Sequence, residues 1–87
     1  MRLRYHRNFK KRALKLLPAQ QKRLACALRF FEKDPHHLTL YNHPLRGKWA
    51  GHRSISFGGD WRAHYIEKDQ GVAFFVALGR HPELYGE

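Results

Sequence analysis

Two turn signals, Gly58-Gly59 and Asp69-Gln70-Gly71, cut the stretch from His52 to Leu78 into three strand-length runs: His52–Phe57, Trp61–Glu67 and Val72–Leu78. Connections this short, rich in glycine, join antiparallel neighbours. The first 33 residues follow a different period. Phe9, Ala13, Leu16 and Leu17 recur at i, i+4, i+7 and i+8, and Leu24, Ala27, Leu28 and Phe31 form a second stripe of helical spacing. Asn8 reads as the N-cap of a first helix, Pro18 suits the first turn of a second, and Lys33-Asp34-Pro35 ends it. "RLRYH" before them is a short extended start. The expected fold class is α+β: an N-terminal strand and an antiparallel pair of helices packed on one face of a four-stranded antiparallel sheet. Residues 1–87 are expected to form one domain, because a chain this short does not bury two useful cores.

The register of the first hairpin is less determined. A two-residue turn at Gly58-Gly59 would pair Phe57 with Asp60, Ser56 with Trp61, Ile55 with Arg62 and Arg53 with His64. Neither face of the sheet then comes out uniformly apolar, so the core face stays open.

Charge divides the chain in the same place as periodicity. The net charge is +10; residues 1–33 hold eleven Lys or Arg against the single acid Glu32, and residues 34–87 hold six against six. Six of the seven histidines lie in that second part. One part is suited to a polyanion, the other to imidazole chemistry. Lys11, Arg12, Lys15, Lys22 and Arg29 fall off the apolar stripes and are the candidate contacts to an RNA backbone. The lone Cys26 makes no internal disulfide and fits a reducing compartment. The longest apolar run, Val72 to Leu78, is far below the ~18 residues of a membrane span. A cytoplasmic protein with no membrane partner is the expectation.

Cleavage of RNA by its own 2′-hydroxyl needs a base, an acid for the leaving 5′-oxygen, and positive charge for the phosphate. Histidine serves both proton transfers because its reference pKa is about 6.5. Arginine forks onto phosphate oxygens, and aromatic rings hold unstacked bases. His43, His81, Asp60, Arg53, Arg62, Trp61 and Tyr85 supply these parts, with no call for a metal or another cofactor. His36-His37 lacks the Cys pair or i, i+4 histidine of a zinc site.

From His43 onward the series His-Pro-Leu-x-Gly, Trp-x-Gly-x-Arg, Asp-Trp-Arg-x-x-Tyr and Gly-x-His-x-x-Leu-aromatic resembles the RelE/ParE superfamily of toxin–antitoxin toxins, in its YafQ-like and RelE/StbE-like branch. The likeness implies a ribosome-dependent mRNA endonuclease that cuts in the A site and is neutralised by a cognate antitoxin. By position it implies catalytic roles for His43, Asp60 and His81, with Arg62 where RelE proper has its catalytic arginine. Trp61 and Tyr85 match site aromatics, and Arg53 and Arg80 are candidate substrate contacts. The chain departs from the branch at Ser56, where a histidine is usual, and at Ala77, where an arginine is usual. Arg80 or Arg62 is left to supply the charge, and His52 or His64 the imidazole. A ParE-like toxin acting on DNA gyrase and a plain RNA-binding module are the alternative readings.

Overall fold

The computed structural model describes the backbone of residues 1–85 and the side chains of residues 1–84. The chain runs β1 (Arg2–Tyr5), α1 (Arg7–Leu14), α2 (Pro18–Lys33), β2 (His43–Pro44), β3 (Arg53–Ser56), β4 (Trp61–Lys68), β5 (Val72–Arg80) and α3 (His81–Tyr85). The strands make one five-stranded sheet in the order β1-β5-β4-β3-β2. This α+β architecture is the expected one with two differences. β1 pairs parallel to β5, which makes the sheet mixed: the chain leaves α2 into β2 running opposite to β1, and three antiparallel pairings later β5 runs in the direction of β1. His43-Pro44 adds a short fifth strand against Arg53-Ser54.

The helices form for the reasons their stripes suggest, with one change of cap. His6, not Asn8, caps α1: its Nδ1 accepts the Asn8 N–H at 3.0 Å. Gln20 Oε1 accepts the Leu17 N–H at 3.0 Å and Pro18 opens α2. Phe9, Leu24, Ala27 and Phe31 are buried against the sheet, where Phe31 meets the rings of Tyr65 and Phe75 edge-on at 4.8 and 5.2 Å. Leu17 stays largely exposed, since α1 ends three residues before it.

The hairpin register differs from the two-residue turn by one residue. Phe57 N–H bonds Trp61 O at 3.2 Å and Trp61 N–H bonds Gly58 O at 2.9 Å, so the loop is Gly58-Gly59-Asp60. Gly58 and Gly59 both have positive φ, 124° and 52°, which glycine adopts without a Cβ penalty. Ser56 then pairs with Arg62, Ile55 with Ala63, Ser54 with His64 and Arg53 with Tyr65. A one-residue shift exchanges faces, and the faces sort cleanly. Ile55, Phe57, Trp61, Ala63 and Tyr65 turn toward the helices, and Ser54, Ser56, Arg62 and His64 turn away.

A bulge at Val76 shifts the register of the second hairpin. His64 pairs with Ala77 but Tyr65 pairs with Phe75, so Val76 has no partner residue. Phe75 and Leu78, three residues apart, both reach the core because of it.

Candidate active site

The face of the sheet turned away from α1 and α2 carries two cross-strand rows. His43, Ser54, His64 and Ala77 lie side by side on β2, β3, β4 and β5. Ser56, Arg62 and Gly79 make the next row. β4 thus supplies the two large polar side chains, and its neighbours on β3 and β5 are small. Arg62 Nη1 donates to Ser56 Oγ at 3.2 Å, Gly59 O at 2.8 Å and Trp61 O at 2.9 Å, which folds the guanidinium against the turn.

His64 is fully buried, its ring edge-on to Trp49 with centroids 4.5 Å apart. Burial above all, then the nearby His52, His43, Arg62 and His81, lowers its pKa to about 4. It is therefore a neutral imidazole at pH 7. His43 is exposed, and its Nδ1 lies 2.8 Å from Tyr41 O. A carbonyl only accepts, so Nδ1 carries the proton and Nε2 presents a lone pair outward when the ring is neutral.

Asp60 ends the hairpin loop and anchors the start of α3. Its carboxylate oxygens accept from Arg80 Nε and Nη2 at 3.3 and 3.4 Å, and its carbonyl accepts the His81 N–H at 2.8 Å. The Arg80 guanidinium holds the Asp60 carboxyl below its usual range. Glu83 Oε1 accepts the Arg80 N–H at 3.0 Å, and its other oxygen pairs with Arg12 from α1. Those bonds, the Arg80 N–H foremost, lower the Glu83 pKa. α3 lies close over β5: a Cβ on Gly79 would stand 3.3 Å from Arg12 Nη2 and 3.6 Å from Leu84 Cγ. Trp49 Nε1 donates to Leu84 O at 3.0 Å, tying the ring above His64 to the helix that begins with His81.

His43 shares the cross-strand row of His64, Arg62 stands two residues along on the same face, and the charges of both and of His81 bear on His64, with Asp60 and Arg80 beside His81. Trp61 and Arg53 are on the opposite face. The Trp61 ring packs 5.8 Å from Phe57, and Arg53 Nε donates to Asn42 Oδ1 at 2.7 Å. The side chain of Tyr85 lies outside the described residues. Lys11, Lys15, Lys22 and Arg29 are exposed on the helices, whereas Arg12 is engaged by Glu83. Trp49 received no chemical role from the sequence, and His64 stood only beside His52 as a candidate for the imidazole that Ser56 lacks. The alternation Arg62-x-His64 marks His64 only once the register is known. Among the described residues no group of three or more His, Cys, Asp or Glu is placed to hold a metal ion, and no helix is long and apolar enough to cross a membrane.

No protein-family model and no curated protein sequence matches the chain. Solved structures do. YafQ from E. coli strain BL21(DE3) superposes with a TM-score of 0.78 at 24% identity, over 99% of this chain and 100% of that one. YafQ in the E. coli DinJ–YafQ complex gives 0.75 at 25%, over 99% and 100%. RelE in the archaeal RelE–RelB complex from Pyrococcus horikoshii OT3 gives 0.73 at 20%, over 91% and 92%. These relatives are toxins of the RelE/ParE superfamily, and the chain has their fold in its YafQ-like form.

Proposed function

We propose that this protein is the toxin of a type II toxin–antitoxin pair and cuts mRNA on the ribosome by acid/base transesterification. The observation that carries this reading is that His43, Arg62 and a buried neutral His64 share one face of the sheet, with His81 near enough for its charge to bear on His64. Base, acid and cation are then all side chains of this chain.

His43 Nε2 takes the proton of a ribose 2′-hydroxyl, and the 2′-oxygen attacks the adjacent phosphorus. The bond from phosphorus to the 5′-oxygen breaks, and that oxygen takes a proton from the His81 imidazolium. The products are a 2′,3′-cyclic phosphate and a 5′-hydroxyl. Arg62, held by Ser56 and the turn carbonyls, faces the charge that grows on the phosphate, with Arg80 as a second cation. Asp60 keeps Arg80 and the His81 backbone in place. Tyr85 and Trp61 are the aromatics that the resemblance assigns to substrate, although the Trp61 ring packs on Phe57 on the other face of the sheet.

Lys11, Lys15, Lys22 and Arg29 grip ribosomal RNA, so ribosome binding weakens steeply as salt rises. A cognate antitoxin is the second partner, as the DinJ–YafQ and RelE–RelB complexes suggest. Working on ribosomes places the activity in the cytoplasm.

Primer extension on an mRNA in a cell-free translation system, with and without ribosomes, tests the reading. Wild type should give cuts within A-site codons, and His81→Ala should give none. A folded wild type that leaves the message intact would sink the proposal, and inhibition of gyrase supercoiling would then favour the ParE-like alternative.

A further inference from the structure

Beside the Trp49 ring lies a cavity of about 460 Å³ that none of the proposed reacting groups occupies. Trp49, Ala77 and Leu84 give it apolar surface, and Asn8, Arg12 and Lys48 line it with polar atoms. Three facts set its place and chemistry. Ala77 sits across from His64 in the sheet, so the cavity opens at the end of the row that begins with His43. Trp49 touches both, its ring 4.5 Å from that of His64 and its side chain lining the cavity. Leu84 and Glu83 belong to the short helix that starts at His81. The cavity is therefore a near neighbour of the reacting groups.

We infer that this cavity takes one nucleobase of the RNA substrate, next to the nucleotide whose phosphate is cut. An indole wall and a methyl floor suit the flat faces of a base, and the amide of Asn8 suits its polar edge. Lys48 stands at the rim for the attached phosphate. Glu83, the one acid among the described residues lining the cavity, is already neutralised by Arg12, which leaves that described lining cationic overall. A wholly apolar side chain from a protein partner would strand the Asn8 and Lys48 groups, and a bare phosphate would leave the Trp49 and Leu84 surfaces unused. The small Ala77 is what keeps the space open: a longer side chain there would fill it. This inference rests on the nuclease reading for its substrate, but its test does not.

The test follows the Trp49 Nε1–H signal, whose hydrogen bond to Leu84 makes it a local reporter, in ¹H–¹⁵N spectra of the whole protein. Adenosine and guanosine 5′-monophosphates are titrated, with inorganic phosphate as control. The nucleotides should move the signal to saturation, and Ala77→Leu should weaken that binding at least about tenfold, in line with loss of a stacked base. Lys48→Glu, at the exposed rim, should weaken it several-fold and serves if Ala77→Leu does not fold. An equal response to inorganic phosphate, or no response of Trp49 to any nucleotide, would overturn the base pocket. The two readings fail separately. Cuts by Ala77→Leu at the same mRNA positions as wild type would remove the pocket and leave the nuclease. A wild type that binds nucleotide but cuts nothing would do the reverse.

Discussion

Lowering the pH from 7 to 5 should destabilise this protein through one side chain, His64. Its pKa is lowered by burial to about 4 in the fold, against about 6.5 for an exposed histidine. Between those values the unfolded chain binds a proton that the folded chain excludes. Stability is therefore fully present above pH 6.5 and is lost as pH falls toward 4. Integrating the linkage between pH 7 and pH 5 gives a loss of about 2 kcal/mol. The surrounding His43, His52, His81 and Arg62 act in the same direction, because they oppose a charge on His64. For a domain of this size about 2 kcal/mol lowers Tm by roughly 8–16 °C. The assay is thermal unfolding followed by circular dichroism at pH 7 and pH 5, on wild type and His64→Leu. The variant should lose most of the pH dependence, whatever its stability at pH 7. An unchanged pH response in His64→Leu would refute the assignment of this proton to His64.

Asn42→Ala should cost about 2–3 kcal/mol in urea unfolding, because its amide bonds Pro35 O and Tyr65 Oη, each at 2.8 Å, and accepts from Arg53. A loss under 0.5 kcal/mol, within the range of an ordinary surface change, would show the network to be idle. Gly79→Val should push α3 from β5 and reduce mRNA cleavage far more than Gly79→Ala, whose closest clash is with the flexible end of Arg12; equal activities would contradict the close packing. Ser56→Ala should lower kcat with little change in KM, and Ser56→Thr should restore it, if the Oγ bond orients Arg62. Asp60→Asn should shift and broaden the His81 amide signal by loosening Arg80 and the start of α3, and an unchanged signal would argue against that anchor.

The two long helices and the strands β3 to β5 could be read from sequence because local chemistry sets them. Pro18 opens α2 where its ring fits, Asp34-Pro35 stops it, and Phe9, Leu24, Ala27 and Phe31 fall on the buried faces their spacing marks. The uneven charge of the two parts was equally plain, being a property of composition. The faces of the first hairpin were not. They depend on whether Asp60 belongs to the turn or the strand, and that one residue decides whether Arg62 and His64 share a face with Ile55 or with Ser54 and Ser56. The parallel placement of β1 beside β5 is likewise nonlocal, since Arg2–Tyr5 carries no local mark of its partner. The motifs supplied His43, Asp60 and His81 as types and spacings, but only the sheet could set His43 in line with His64. Burial under Trp49 turned His64 from one of seven histidines into a neutral group at the centre of the site. A side chain's chemistry is fixed by its sequence; its pKa and neighbours are fixed by what packs around it.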